Sequence, residues 1–310
     1  MTPLSISLVA DDHYAQHAAV VMASIMANTP DTDIVFHIVH RNISEIHQCR
    51  LAAMSGLWPH CSVIFHLIDP ERFAALPLPA ELEHVTREMY FRYLLPELLT
   101  DERTLYLDVD ILALGDLRPL WATALEGCIL AGVADTKEVN PEIHRGWQEY
   151  RQRIGLPKDA CYVNSGVLLM DLSSMRAARA TPQLIARTAE LGARTAWPDQ
   201  DVLNLTYAGR IKSLSPIYNC THEWLPMLPK GERPVIRHFA NFTEKPWCCL
   251  PKNRTWIPYL HYLRRSTFAD QTTVFIRSHL RGFFFYQYTK KNVRRTCIFG
   301  LRLGKRTIHS

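Results

Sequence analysis

The chain predicts an α/β protein, a mostly parallel central sheet flanked by helices, followed by a helical C-terminal tail that is basic and aromatic. Three observations point there. Over the first 250 residues, short apolar runs alternate with helical patterns, at a spacing that suits parallel strands joined by crossover helices. Two of these runs end in acidic residues, Asp11–Asp12 and Asp108 with Asp110. Ligands bind such sheets beyond the carboxyl ends of the strands. After Trp247 the texture changes to aromatic side chains set among Lys and Arg.

The elements follow in order. Residues 6–10 form a β-branched strand that stops at the first acidic pair, and 13–28 read as a helix with an apolar stripe, ended by Pro30. Residues 33–40 and 62–67 are strands, with a helix at 44–53 between them. A helix spans 86–99, and 104–107 is a strand running into Asp108–Val109–Asp110. Strands at 128–134 and 166–171 precede helices at 173–180 and 182–191. Asp199–Gln200–Asp201 opens a helix after Trp197–Pro198, and 235–239 is strand-like. The tail pattern predicts an amphipathic helix over 272–295. Residues 1–250 thus read as a catalytic domain and 251–310 as a separate basic, aromatic region.

Composition excludes several classes. Hydrophobic residues make up 47% of the 310 and charged residues 21%, enough for a sizeable core and against wholesale disorder. The 13 glycines never come closer than four residues, so no dinucleotide fingerprint exists, and no GKS or GKT marks a phosphate loop. Of 35 Lys/Arg and 30 Asp/Glu, residues 261–310 hold 11 and one, leaving 24 and 29 for residues 1–260. A mildly acidic body therefore carries a strongly basic end, which suits a polyanion. The eight cysteines form no CxxC pair and read as reduced thiols of a cytosolic protein. The uncharged run 13–30 contains two His, a Gln and an Asn, and follows two aspartates, so we expect neither an export signal nor a spanning helix.

Four constellations carry chemistry. In an extended segment Asp108 and Asp110 point to one side, so their carboxylates can converge on one hard cation. The same pair reads equally as strand-end carboxylates capping a turn. His238 sits on an apolar strand, where a core imidazole is the ordinary role, although a neutral imidazole also suits Mn²⁺ better than Mg²⁺. Lys245, held by Pro246, could clamp a phosphate as a point charge or simply be a solvated turn lysine. Asp199–Gln200 and Asn164–Ser165–Gly166 are explained locally as a helix start and a turn before a strand.

Taken together, six ordered blocks resemble the family-8 retaining glycosyltransferases, and among them the bacterial lipopolysaccharide core glucosyl- and galactosyltransferases. The blocks are VADDHY (9–14), MYFRYLLPELL (89–99), LYLDVDILALGDLRPLW (105–121), YVNSGVLLMDL (162–172), PDQDVLN (198–204) and RHFANFTEKPW (237–247). The resemblance implies the nucleotide-diphosphosugar transferase fold, called GT-A. It implies Mn²⁺ or Mg²⁺ held by Asp108, Asp110 and His238, with UDP-glucose or UDP-galactose as donor. It places Val9, Asp11 and Tyr14 at the uracil and ribose, Val109 among the donor-binding positions, and Arg92 and Lys245 on the donor, Lys245 at its diphosphate. It places Asp135, Asn164, Asp199 and Gln200 around the donor sugar and the reacting carbon. The sequence departs from the family at Asn241, where a glycine is usual, with one extra residue between His238 and Lys245 and with Cys248 where a histidine commonly follows KPW.

Nine aromatics accompany the basic charge of residues 261–310. Arg and Lys heads on aromatic surroundings suit an anionic bilayer interface and not its interior. No nucleic-acid module accompanies them. We therefore expect a peripheral protein on the cytoplasmic face of the inner membrane, acting on a lipopolysaccharide core acceptor. A same-fold transferase with a protein or glycogen-primer acceptor, and a catalytically silent sugar-nucleotide or membrane-binding protein, remain alternatives.

Overall fold

The structure is a computed structural model that describes residues 3–78, 86–140, 142, 144–249, 253–290, 293–298 and 301–307. Seven strands form the central sheet: β1 (Leu4–Val9), β2 (Ile34–His40), β3 (Cys61–Leu67), β4 (Arg103–Leu107), β6 (Leu130–Ala134), β7 (Val163–Asp171) and β8 (Ile211–Leu214). Their order is β3-β2-β1-β4-β7-β6-β8. Every neighbour pair is parallel except those of β7, which runs antiparallel to both β4 and β6. The mostly parallel sheet is therefore present, with one reversed strand. Two short strands, β5 (Ile111–Ala113) and β9 (Ile236–His238), form a small antiparallel sheet beside it.

Side chains alternate between two cores, as the period of two demands. Leu105 and Leu107 of β4 and Val167 and Leu169 of β7 enter one cluster. Tyr106, Leu168 and Met170 enter the other. The first core lies under helix Ala15–Asn28, whose residues Ala18–Ala23 are wholly covered. The second lies under the helices Ala180–Leu191 and Pro198–Thr206.

Two predicted helices differ in detail. Residues 87–94 are a 3-10 helix and only Leu95–Leu98 is α-helical. Pro96 lacks the N–H that an α-helix would give to the Arg92 carbonyl, which instead accepts from Leu95. The tail helix runs over Thr272–Phe284 and stops eleven residues earlier than its pattern suggests. The chain then forms three antiparallel strands, β10 (Phe285–Lys290), β11 (Val293–Ile298) and β12 (Leu301–Thr307). Their aromatic and β-branched residues favour a pleated strand over a helix. The helix Trp256–Leu263, which no pattern singled out, packs on helix Ala15–Asn28 and buries Tyr259, Leu260 and Leu263 in the first core. Phe268 and Phe275 join the same core. Among the described residues no helix is long and apolar enough to cross a membrane.

Candidate active site

The site lies at one edge of the sheet, where four strands deliver functional residues. β1 ends at Val9 and β4 at Leu107, so Asp11 and Asp108 follow parallel neighbours. β6 ends at Ala134, just before Asp135. Because β7 is reversed, its first residues, Val163 to Gly166, reach the same edge, and the Gly166 carbonyl accepts from Asp108 N at 2.8 Å. The β5–β9 ladder sets Ile111 opposite His238, which brings the imidazole beside Asp110 across about 130 residues of chain.

The three candidate ligands converge. Ligand atoms of Asp108, Asp110 and His238 lie within 4.8 Å of one another. His238 Nε2 is 3.3 Å from Asp110 Oδ1 and 4.0 Å from Asp108 Oδ2. Its Nδ1 lies 2.8 Å from Asn219 Oδ1, so an N–H there donates to the amide oxygen and leaves the Nε2 lone pair facing the carboxylates. Asp110 Oδ1 is buried without a hydrogen-bond donor. Two carboxylate oxygens, one of them orphaned, and one imidazole nitrogen fit a divalent cation of the Mn²⁺ or Mg²⁺ kind.

Positive side chains frame this triad. Burial alone would raise the Asp110 carboxyl, but the Lys245 ammonium beside it holds it well below the usual carboxylate range. Lys245 Nζ donates to Asp110 Oδ2 at 2.5 Å. Arg92 is only 5% exposed and stays charged, because its burial is outweighed by Tyr106, Asp199 and Asp108 around it. Its guanidinium donates to Asp108 Oδ1 at 3.1 Å and the Ser165 carbonyl at 2.8 Å, and pairs with Asp199 Oδ2 at 3.2 Å. Burial pushes the Asp199 carboxyl up, against the pull of Arg92.

Gln200 is held on all sides. Its Oε1 accepts from Asn164 Nδ2 at 3.2 Å and Ser165 N at 3.0 Å. Its Nε2 donates to Asp135 Oδ2 and to the Tyr162 hydroxyl oxygen, both at 3.0 Å. Burial would raise the Asp135 carboxyl, but Lys137, whose Nζ donates to it at 2.9 Å, holds it below the ordinary range. Asp201, the third residue of that helix start, instead accepts from the Tyr150 and Tyr162 hydroxyls and from Trp197 N, and so fastens the helix.

Two adjoining clefts result. One, of about 250 Å³, is lined by Val9, Asp11, Tyr14, Arg92, Asp108, Val109, Asp110 and Lys245. The other, of about 620 Å³, is lined by Asp135, Asn164 and Gln200 together with Trp147, Trp197 and Glu223. The structure thus brings the proposed nucleoside and diphosphate residues into one cleft and sugar-side residues into the next, with Asp199 behind Arg92. Only the first acidic pair is split: Asp12 Oδ1 accepts from Ser44 N at 2.8 Å, away from the cleft, and Asp11 lines it. Asn241 lines the larger cleft with φ −84°, so its backbone does not require glycine.

Several contributors were not legible in the sequence. Asn219 lies in an irregular segment without a motif and is found only through His238. Tyr162 stands two residues before Asn164, where a same-face reading of an extended segment could have found it. Gly166 reads in the sequence as part of a turn before a strand. A Cβ on Gly166 would meet His238 Cε1 at 2.4 Å and Asp108 Oδ2 at 2.8 Å, so the position requires glycine because of close approach.

The chain is similar in sequence and fold to known proteins. The model of "Glycosyl transferase family 8" matches residues 5–249. General stress protein A of Bacillus subtilis is 26% identical over 273 residues, covering 82% of this chain and 91% of that protein. A lipopolysaccharide 1,2-glucosyltransferase of Escherichia coli K12 is 25% identical over 258 residues, covering 79% of this chain and 72% of the enzyme. The solved structure of the galactosyltransferase LgtC in complex with donor and acceptor sugar analogs superposes with a TM-score of 0.73 at 26% identity, covering 85% of this chain and 96% of that one. A match over this much of the chain, together with the GT-A-like fold shared with LgtC, makes the protein a member of glycosyl transferase family 8.

Proposed function

We propose that the protein transfers a hexose, glucose or galactose, from a UDP-sugar to a sugar of the lipopolysaccharide core, with retention and an α linkage. The observation that carries this reading is the acid–acid–histidine triad, whose two acids line the smaller cleft together with Lys245 while Asp135, Asn164 and Gln200 line the larger one. The lipopolysaccharide acceptor is suggested by the relationship to the E. coli glucosyltransferase.

The chain's own residues account for the chemistry. Asp108, Asp110 and His238 would hold Mn²⁺ or Mg²⁺, which when bound neutralises diphosphate charge as a Lewis acid. Lys245 supplies a second positive charge to the leaving diphosphate without needing to give up its proton. Arg92 ties Asp108 to Asp199 and lines the smaller cleft. Gln200 has both amide atoms engaged, and a neutral amide oxygen already accepting two hydrogen bonds is a poor nucleophile. Asp199 is paired with Arg92 and accepts from the Ser165 hydroxyl at 3.3 Å. These engagements favour front-face attack, in which the diphosphate takes the acceptor proton. Gln200 and the ionised Asp135 then orient the sugar and stabilise its oxocarbenium-like charge.

A titration of UDP with and without Mn²⁺ tests the reading. Affinity is expected to rise by about tenfold or more with metal, equivalent to ~1.4 kcal/mol. UDP binding that ignores the metal would remove the triad from the donor site. Release of UDP from a panel of UDP-sugars then names the hexose.

We further propose that the protein works at the cytoplasmic face of the inner membrane, as a peripheral protein. Helix Thr272–Phe284 exposes Val274, Leu280 and Phe284 beside Arg277 and Arg281, and the chain beyond it is basic. Such a face suits an anionic interface. Sedimentation with phosphatidylglycerol vesicles is expected to capture the protein, and phosphatidylcholine vesicles are not. Changing Arg277→Gln and Arg281→Gln should weaken capture by about 30-fold, at ~1 kcal/mol per charge. Equal capture by both vesicle types, or by neither, would overturn the membrane reading.

A further inference from the structure

We propose that His279, with Asn253 and Thr255, is a positioning element of the donor site: these side chains hold the backbone of the 244–248 loop and so aim the Lys245 ammonium at the donor diphosphate. The inference rests on the assignment of Lys245 to that diphosphate.

Lys245 follows the short 3-10 turn Phe242–Glu244 and precedes Pro246, with no strand or helix of its own to support it. A lysine acts as a point charge on a flexible stem, so its reach depends on where its backbone is held. Here the backbone is held through its carbonyls by side chains from further along the chain. Asn253 Nδ2 donates to Lys245 O at 2.9 Å and to Cys248 O at 3.0 Å. The Thr255 hydroxyl is shared between Glu244 O at 2.7 Å and Asn253 Oδ1 at 2.6 Å. His279 Nε2 lies 2.8 Å from Pro246 O.

His279 is well placed to act as a fixed post. It is 8% exposed, on helix Thr272–Phe284, with its ring between Phe275 and Trp256 at centroid distances of 4.3 and 5.2 Å. Its Nδ1 lies 2.9 Å from the Phe275 carbonyl, one turn earlier. One turn later, a Cβ on Gly282 would meet Cys249 O at 2.3 Å, so glycine there lets the helix backbone lie against the loop. Trp247, two residues after Lys245, stacks on His17 of helix Ala15–Asn28 at 3.7 Å. The lysine's loop is therefore gripped between the first helix of the sheet and the C-terminal helix. Residues 253–284 belong to the donor site as well as to the surface.

Titrations of the full chain with UDP and with uridine, both in Mn²⁺, test this. His279→Phe keeps the ring volume and removes the ring nitrogens, and with them the hydrogen bond to the Pro246 carbonyl. It is expected to lower UDP affinity by about tenfold, the loss typical of one buried hydrogen bond near a charge. Uridine, which has no diphosphate, should bind as in the wild type. His279→Gln, which restores an N–H donor, should recover most of the loss. In a Lys245→Ala background, His279→Phe should have no further effect, because its influence passes through the lysine. Asn253→Ala, away from the buried ring cluster, should show the same pattern and serves if His279→Phe does not fold. Equal losses for UDP and uridine, an undiminished loss in the Lys245→Ala background, or unchanged UDP affinity in His279→Phe would each overturn the proposal. If Lys245→Ala alone leaves UDP affinity intact, the diphosphate assignment fails, and the inference falls with it for that separate reason.

Discussion

Asp110→Asn is expected to abolish transfer, lowering turnover by about three orders of magnitude or more, because it removes several kcal/mol of charge stabilisation at the leaving diphosphate. The two carboxylate oxygens have different roles. One carboxylate oxygen accepts from Lys245, and the other is the orphaned atom facing His238. An asparagine keeps the shape and one acceptor but supplies no charge to a cation or to the lysine. The fold should survive, since asparagine keeps the shape and Lys245 lines an open cleft in which its ammonium can turn to water. Two measurements check this together: turnover with Mn²⁺, and the melting temperature. Wild-type turnover would sink the metal reading. A large fall in melting temperature would instead assign the residue to the scaffold.

Gly166→Ala is expected to cost on the order of 100-fold in turnover, although it adds only a methyl group. The new Cβ would fall 2.4 Å from His238 Cε1 and 2.8 Å from Asp108 Oδ2. Neither neighbour has a cheap retreat. His238 is held by its strand ladder and by Asn219, and Asp108 by Tyr106 and Arg92. The ligands must separate, so Mn²⁺-dependent UDP binding should weaken in step with turnover. Gly56→Ala is the control, because a Cβ there meets nothing within 4 Å. A Gly166→Ala enzyme with normal metal dependence would show that the triad tolerates displacement, against the packing seen here.

Much of the frame was legible because it is local. The strand ending at Leu107 and the two acids after it are written in six consecutive residues, Leu105 to Asp110, since apolar content and side-chain alternation need no distant partner. The crossover helices announced themselves in the same way, through stripes that must be buried. The 3-10 turn at 87–94 and the early stop at Phe284 were less legible, because two local preferences compete there. A proline interrupts the first pattern, and strand-forming aromatics interrupt the second.

The sequence alone therefore carried the alternation of strands and helices and the family resemblance, and it singled out the acids and amides that we propose serve a sugar nucleotide. It could not say that β7 is reversed, which puts Asn164 and Gly166 at the same edge as Asp108, nor that β9 pairs with β5 and delivers His238. It did not reveal that side chains beyond residue 250 grip the loop of Lys245. Those facts depend on contacts between segments far apart in the chain, and their energies come from closing long loops and filling a shared core. A local pattern records which face a residue buries, and only the packed chain records what it meets there.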